Sequence, residues 1–330
     1  MSIFKRGVLV GLLLMFLSTM ILIPTGAVAK KTYRIAALSH CSAGHPFWEV
    51  VHKGAEDAAA LFPDLKLDFI FVPPGKSEDP VAHLANLESA IAAGYDAIIV
   101  SIFHKTMFDE PIERAMRKGI AVLGYNIDDP EGAKGNARMN YIGHDMIDMH
   151  YRAAKIEAKT LGLKPGDHVV ITNDCPGAGW SELSVLGHKK FCEEYGLDYD
   201  IIIGSTEIAE GETIIHSYLS AHPKTKSVMA AGWMLGVGAA DAIKALGYKP
   251  GEVGVIIRDP VEPALERMLE GYVTTIICQC QYLQGYYSVI VAYQYLKYGF
   301  PPTDIILPPR FLTGPEDVQK IKALVKQGYQ

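Results

Sequence analysis

Residues 84–100 read LANLESAIAAGYDAIIV, and this stretch indicates the class of fold. Its first part places Leu84, Leu87 and Ile91 on one stripe, as in an amphipathic helix. Gly94 follows at the position where a left-handed residue ends a helix. The last four residues form a short unbroken apolar run, which is typical of a parallel strand covered on both faces. The stretch therefore predicts one helix–strand unit of an α/β fold.

The same unit recurs along the chain, and Gly119 ends a further helix in the same way. In the first half, strands are predicted at Tyr33–Ser39, Leu67–Val72, Ala97–Ile102 and Ala121–Tyr125, with helices near Pro46–Leu61, Ser77–Ala93 and Met107–Lys118. After a crossing at residues 140–143 come a helix near Asp145–Leu161 and strands at His168–Asn173, Tyr199–Gly204, Ser227–Ala231, Val253–Arg258 and Thr274–Gln279. This count predicts two doubly wound parallel sheets.

The first 29 residues have the pattern of a cleaved export signal. Lys5 and Arg6 precede an apolar run from Val8 to Ile23, and the small residues 27–29 form a cleavage site. A permanent membrane anchor is the alternative, but Pro24 breaks the apolar run before it reaches a comfortable spanning length. No cysteine lies at the cleavage site, so a lipid anchor is not indicated. We expect a free protein in the periplasm of a Gram-negative cell.

Length and composition fit two lobes without catalytic or nucleic-acid motifs. Removal of 29 residues leaves 301, a natural length for two α/β lobes, and the 49% hydrophobic content can fill two cores. The net charge of −6 becomes −8 once Lys5 and Arg6 are removed, and no long basic run invites nucleic acid. No Gly-x-Ser-x-Gly or His-Glu-x-x-His motif occurs. We therefore predict neither an enzyme nor a bound cofactor.

In open α/β sheets, ligands bind beyond the carboxyl ends of the strands. The residues that follow the predicted strands mix aromatic side chains with neutral amides and a few carboxylates. Aromatic rings stack on sugar faces, and amides and carboxylates exchange hydrogen bonds with hydroxyls. The segments concerned are 40–48, 103–105, 126–129, 174–181 and 232–234, together with Thr206, Asp259 and Gln279. This inventory favours a sugar site.

At these residues the chain resembles the periplasmic sugar-binding proteins of ABC importers, the ribose/galactose-type group with the type I periplasmic-binding fold. Gly44–Trp48 is similar to the family's Asn-Pro-Phe-Phe-type turn after the first strand. Further similar segments are Ala92–Val100, Gly124–Asp128 and Tyr141–Asp145, and the series Asp259, Leu265, Gly271, Gln279 and Gly285. The resemblance covers essentially all of the chain after the signal.

The resemblance implies two lobes joined by a three-strand hinge. The N-terminal lobe would comprise residues 31–144 and 280–308, and the C-terminal lobe residues 145–279 and 309–330. A small neutral hydroxylated ligand, a sugar or polyol, would be captured when the lobes close. A monomer would then deliver it to an inner-membrane ABC permease. A signalling furanose or a nucleoside on the same fold is the alternative ligand.

The resemblance also implies the binding residues. Phe47 and Trp48 would stack on the ligand, Asn126 and Asp128 would bond to it from the first lobe, and Asp259 and Gln279 from the second lobe and hinge. Each has a plainer alternative: packing at a helix start for the two aromatic residues, a turn role for Asn126, a solvent-facing carboxylate for Asp128, and a helix N-cap for Asp259. Gln279 needs a partner if it is buried.

The chain departs from the family pattern in the second lobe. Residues 180–184 lack the arginine expected shortly before Gly187, Gly232-Trp233 replaces Asn-Asp, and the aromatic residue expected near Thr206 is missing. Trp180 and Trp233 either supply the second stacking face or pack within their lobe.

Metal capture is a separate alternative, because histidine and cysteine side chains suit zinc or copper. The residues that would line the mouth of a cleft are His40, Cys41, His45, His104 and His144. Their spacing is irregular, so the sequence predicts no metal site.

Overall fold

The structure is a computed structural model that describes residues 31–104 and 106–330. The predicted export signal lies outside these residues. Among the helices that are described, none is long and apolar enough to cross a membrane. By their contacts, Tyr33–Gln330 form one unit, which contains both sheets and the site between them.

The elements alternate through the described part of the chain. The strands are β1 (Tyr33–Ser42), β2 (Leu65–Val72), β3 (Ala97–Val100), β4 (Ala121–Asn126), β5 (Tyr141–Gly143), β6 (His168–Asn173), β7 (Asp198–Ile203), β8 (Ser227–Met229), β9 (Gly254–Arg258), β10 (Thr275–Cys278), β11 (Ile305–Ile306) and β12 (Arg310–Leu312). The α-helices are α1 (Pro46–Ala59), α2 (Pro80–Ala93), α3 (Asp109–Arg117), α4 (Met146–Leu161), α5 (Gly179–Tyr195), α6 (Ile208–Ala221), α7 (Trp233–Ala245), α8 (Glu262–Leu269), α9 (Gln281–Tyr298) and α10 (Pro315–Lys326).

The strands sort into two six-stranded sheets, one in each lobe. The first has the order β11-β5-β4-β3-β1-β2, and all its pairs are parallel. The second has the order β12-β10-β9-β8-β6-β7, in which only the pair of β10 with β12 is antiparallel. The prediction of two doubly wound α/β lobes is therefore confirmed, with β11 and β12 added at one edge of each sheet.

The chain passes between the sheets three times: after β5, after β10, and between β11 and β12. We propose the boundaries of the lobes at these crossings, at 144/145, 279/280 and 308/309. Helix α9 follows the second crossing and packs against α1 of the first lobe. A Cβ added at Gly54 would lie 2.0 Å from the carbonyl oxygen of Tyr282, and one at Gly285 would lie 2.0 Å from that of Val51. Glycine at both positions therefore permits this close helix contact.

Local signals explain where the first-lobe helices begin and end. Asp79 caps α2, because its carboxylate accepts hydrogen bonds from the amides of Val81 and Ala82 at 2.9 and 3.2 Å. The helix thus begins later than the predicted Ser77. Gly94 and Gly119 have φ values of 64° and 80°, which confirms their left-handed conformation after α2 and α3.

Candidate ligand-binding site

A cavity lies where the carboxyl ends of the two sheets face each other, and both lobes contribute to its wall. The space free of protein atoms there is about 480 Å³, a volume that includes space open to solvent. We call this cavity the cleft cavity. Its lining residues are His40, His45, Phe47, Trp48, Glu78, Asn126, Ile127, Met146, Trp180, Gly232, Trp233, Met234, Arg258, Asp259 and Gln279. The set includes seven of the eight site residues predicted from the sequence.

The first-lobe wall is aromatic. Pro46 occupies the first turn of α1, where its fixed φ suits a helix start, and this places Phe47 and Trp48 beside the end of β1. The Trp48 ring lies 4.8 Å from the His40 ring and 5.5 Å from the Tyr125 ring, both at steep angles. Because Trp48 is only 1% exposed, it belongs to the core of the lobe and presents little more than an edge to the cavity.

His40 adds a neutral polar group to this wall. Its ring stacks on Phe103 at 4.6 Å, and its Nδ1 lies 3.1 Å from the hydroxyl oxygen of Ser101. Burial, the largest influence, lowers the pKa of His40 well below its usual value, and the neighbouring His83 lowers it further. The imidazole is therefore uncharged at neutral pH and can accept or donate a hydrogen bond.

Amide side chains line the cavity near the hinge. Asn126 ends β4 in a left-handed conformation with φ of 64°, which asparagine tolerates, and its Nδ2 donates to Gln284 Oε1 at 3.2 Å. Gln279 follows β10, and its Nε2 donates to Asp259 Oδ1 at 2.8 Å. His144, at the first crossing, donates from Nε2 to the carbonyl oxygen of Gln279 at 2.5 Å. The predicted need of Gln279 for a partner is thus met within the site.

Asp259 is oriented by amides and does not cap a helix. Its Oδ1 accepts hydrogen bonds from both Gln279 and Gln281, the latter at 3.0 Å. The residue before α8 is Val261, and no side chain caps that helix. Burial raises the pKa of Asp259, and the adjacent Arg258 opposes the rise. The structure thus places this carboxylate in the cavity wall.

Two tryptophans come from helix starts in the second lobe. Trp180 is the second residue of α5, and its indole N–H donates to Glu78 Oε2 of the first lobe at 3.0 Å. The guanidinium carbon of Arg258 lies 4.5 Å from the centre of the Trp180 ring. Trp233 is the first residue of α7, and its Nε1 is buried without a hydrogen-bond partner. Both side chains line the cavity, and Trp180 also bridges the lobes.

Asp174 supports the second-lobe wall from behind. It follows β6, and its two carboxylate oxygens accept hydrogen bonds from the Thr172 hydroxyl at 2.5 Å and from the Gly232 amide at 2.7 Å. Burial raises its pKa to about 7. The contact with Gly232 fixes the start of α7 and hence the position of Trp233.

Asp128 does not line the cavity. Both of its carboxylate oxygens accept hydrogen bonds from the guanidinium of Arg138, whose side chain is almost fully buried. Arg138 also lies 3.6 Å from a carboxylate oxygen of Asp304. The structure therefore places Asp128 in an ion-pair network beside the hinge, apart from the other predicted site residues.

Sequence reasoning missed Glu78 and Arg258. Glu78 lies in the turn between β2 and α2 with φ of 62°, several residues beyond the end of β2. It was missed because only residues that directly follow the strands were considered. Arg258 is the last residue of β9, and only the residue after the strand was considered. A charged residue at the end of a buried apolar strand was the available signal for Arg258. No comparable signal marked Glu78.

The residues suggested for metal capture are only partly brought together. His40 and Cys41 form a group with Glu78 whose potential ligand atoms lie within 4.8 Å of one another. The Cys41 thiol instead donates to Glu78 at 3.5 Å, and burial raises its pKa, which disfavours the thiolate that a metal needs. His144 donates a hydrogen bond to the carbonyl oxygen of Gln279 at the hinge. Nδ1 of His104 accepts a hydrogen bond from the amide of Thr106 at 3.5 Å. The five residues of this alternative therefore do not form one group of ligands within the described part of the chain.

The chain belongs to the periplasmic binding protein family. The family's model, described as a periplasmic binding protein domain, matches residues 36–299. This match spans both lobes and every residue that lines the cleft cavity.

Among curated proteins, the chain is similar to the xylose/arabinose-binding protein XylF of Sulfolobus acidocaldarius, with 26% identity over 277 residues. This alignment covers 80% of this chain and 66% of the relative, so the chain spans about two thirds of that protein's length.

Solved structures share the fold. A solute-binding protein of an ABC transporter from Agrobacterium vitis, bound with alpha-D-tagatopyranose, has a TM-score of 0.78 at 23% identity and covers 91% of this chain and 100% of its own. A Bacillus halodurans solute-binding protein with bound myo-inositol has a TM-score of 0.77 at 24% identity, with coverages of 91% and 99%. The glucose-galactose binding protein GanP of Geobacillus stearothermophilus has a TM-score of 0.77 at 20% identity, with coverages of 86% and 98%.

Proposed function

We propose that this chain is an extracytoplasmic solute-binding protein that captures a neutral hydroxylated ligand, a sugar or polyol, and delivers it to an ABC importer. The observation that carries the proposal is the cleft cavity, whose wall combines aromatic rings, amides and carboxylates from both lobes. Rings bind the apolar faces of a sugar, and the amide and carboxylate groups exchange hydrogen bonds with its hydroxyls.

Capture would proceed by hinge closure. The hydrogen bond from Trp180 to Glu78 joins the two lobes, so it forms only when they are closed. A ligand that touches Phe47 on one side and Trp233 on the other gains contacts with both lobes only in that form. This difference in contacts would shift the population towards the closed form.

The charges around the cavity disfavour an anionic ligand. Arg258 is the cation of the wall, and the carboxylates of Glu78, Asp174 and Asp259 act on it electrostatically. Two of these carboxylates already accept hydrogen bonds at both oxygens. Because the cation is thus offset by neighbouring acidic groups, a neutral ligand suits the site better than an anion.

The family and the sequence support a proposal for the setting and partners. We place the protein in the periplasm, after removal of residues 1–29, as a monomer that a permease of the inner membrane recognises in its closed form. It binds its ligand without changing it chemically. The curated relative is named for xylose and arabinose and two structural neighbours carry a ketose and a cyclitol, which supports a pentose, hexose or polyol as the ligand.

Two measurements test this proposal. Mass spectrometry of the freshly purified protein should detect a co-purified sugar or polyol. A thermal-shift screen over D-xylose, L-arabinose, D-tagatose, D-allose, myo-inositol and representative nucleosides should show stabilisation by at least one neutral compound, because ligand binding raises apparent stability by mass action. Stabilisation by nucleosides alone would favour the alternative ligand class. A panel without any response, or a compound recovered chemically changed, would overturn the proposal.

A further inference from the structure

We infer that Arg258 and Trp233 form a two-donor subsite that recognises neighbouring hydroxyl oxygens of the ligand, and that Arg258 sets specificity for a neutral vicinal diol. The inference rests on the proposed function, and it adds residues and a ligand feature that the family resemblance did not assign. Three observations support it. Arg258 and Trp233 carry buried N–H groups without partners, carboxylates already offset the charge of Arg258, and this arginine comes from the end of β9.

The guanidinium of Arg258 is held in place without an ion pair. Arg258 is only 7% exposed and lines the cavity, and its guanidinium lies over the face of Trp180. Its Nε is buried without a hydrogen-bond partner. Asp259, Asp174 and Glu78 act on the guanidinium electrostatically, but none of the ion pairs found among residues 31–104 and 106–330 includes Arg258. A stacked guanidinium keeps its N–H groups free to donate at the ring's edge. The group is therefore positioned for an acceptor that the protein itself does not provide.

Trp233 supplies a second donor in the same wall. Its indole N–H is also buried and unpartnered, although the ring lines the cavity. A buried donor without an acceptor costs about 1–3 kcal/mol. Two residues that carry such donors line one cavity, which indicates that the ligand places acceptor oxygens there. Hydroxyl oxygens on neighbouring carbons meet this requirement.

The nearby carboxylates explain why the acceptors are hydroxyls and not an anion. Glu78 is bonded to Trp180 and Cys41, and Asp174 is bonded to Thr172 and Gly232, so these two offset the charge of Arg258 without competing for its N–H groups. In Asp259, Oδ1 accepts from two glutamines, whereas Oδ2 has no hydrogen bond with any residue that the structure describes. A hydroxyl can donate to Oδ2 while it accepts from Arg258. A carboxylate cannot do both.

The position of Arg258 also accounts for a departure from the family pattern. Residues 180–184, where the resemblance leads one to expect a ligand-binding arginine, contain none. Trp180 occupies this region and supports a guanidinium that comes from the end of β9. The second lobe thus provides an arginine at the cavity by a different route.

The test uses the panel sugar that binds wild-type protein most tightly in calorimetry. Arg258→Lys keeps the charge but removes the planar guanidinium, and Trp233→Phe keeps an aromatic ring but removes the N–H together with the five-membered ring. Arg152→Lys is the matched control, because its guanidinium also lies over an aromatic ring, that of Phe311 at 5.2 Å, but does not line the cavity. We expect a loss of affinity of about 10- to 100-fold for Arg258→Lys and about 5- to 10-fold for Trp233→Phe. The control should stay within about twofold.

Deoxy analogues and a sugar acid sharpen the test. One monodeoxy analogue should bind to wild-type protein about as weakly as the parent sugar binds to Arg258→Lys. The variant should bind this analogue with nearly the same affinity as the parent sugar, because the contact is already lost. The corresponding aldonic or uronic acid should bind wild-type protein more weakly than the neutral sugar. Variants that bind within twofold of wild type, or tighter binding of the acid, would overturn the inference. If wild-type protein binds no compound of the panel, the proposed function itself fails.

Circular dichroism and thermal melting of each variant without ligand establish that it folds. Should Arg258→Lys fail to fold, Trp233→Phe and the deoxy analogues still decide the question, because Trp233→Phe removes the indole N–H and keeps an aromatic ring at this position. Retained affinity in Trp233→Phe together with uniform affinity across the deoxy series would also overturn the inference.

Discussion

Removing the indole N–H of Trp180 should weaken ligand binding because it destabilises the closed form. In Trp180→Phe the hydrogen bond to Glu78 Oε2, 3.0 Å long, is lost, and a six-membered aromatic ring remains at this position. A hydrogen bond to a carboxylate contributes about 1.5 kcal/mol or more. Both partners are solvated when the lobes separate, so the loss falls on the closed state. Since about 1.4 kcal/mol corresponds to a tenfold change, we expect a dissociation constant roughly ten times higher.

Calorimetric titration with the tightest-binding panel sugar measures this change. Tyr195→Phe is the control, because Tyr195 donates to the carbonyl oxygen of Leu163 at 2.9 Å within one lobe, and its loss should leave affinity unchanged. In a Glu78→Ala background the acceptor is already gone, so Trp180→Phe should have little further effect on closure. Wild-type affinity in Trp180→Phe, or equal losses with and without Glu78, would refute the role of this contact in closure.

Three further predictions concern the site and the lobes. Gln279→Ala should weaken binding of the same sugar severely, because Asp259 loses a hydrogen bond that orients it. The melting temperature should fall by no more than a few degrees, and an unchanged calorimetric titration would count against the assigned site. Gly285→Ala should destabilise the protein by about 3 kcal/mol in urea unfolding, because the new Cβ would lie 2.0 Å from a carbonyl oxygen of α1. Gly314→Ala is the control and should cost little, because a Cβ at residue 314 would have no atom within 4 Å. Equal stability of the two variants would contradict the contact between α1 and α9. Burial lowers the pKa of His83 to about 4, so unfolding lets this residue take up a proton between pH 4 and 6.5. The free energy of unfolding should therefore fall by roughly 3 kcal/mol because of His83 as the pH drops through this window. His83→Gln should reduce the slope of the unfolding free energy against pH by about one proton, and an unchanged slope would show that His83 titrates normally.

Much of the fold could be predicted because its signals are local. The apolar stripe of residues 84–91 and the glycine at 94 depend only on helix geometry and on the conformational freedom of glycine. The short strands β11 and β12 lack such a signal, because two or three residues carry no periodicity. They are positioned by pairing with β5 and β10, which the sequence does not display.

The cavity wall was predictable where its residues follow strands directly. Asn126 and Gln279 come at or just after strand ends, so sheet geometry alone brings them to the cavity. Asp128 follows the same strand but is held away by Arg138, and the sequence does not reveal this ion pair. Glu78 is brought in by a turn with positive φ and by a partner 102 residues away, Trp180. Such long-range polar contacts depend on how the lobes meet, which local patterns do not specify.

Closure of the two lobes around a neutral sugar is the central claim, and small-angle X-ray scattering tests it most directly. The mature protein would be measured without ligand and with a saturating concentration of the sugar selected by the thermal-shift screen. We predict that the sugar reduces the radius of gyration and that the resulting curve matches one calculated from residues 33–330 of this structure. Identical curves with and without the sugar, or a more extended sugar-bound form, would contradict the account.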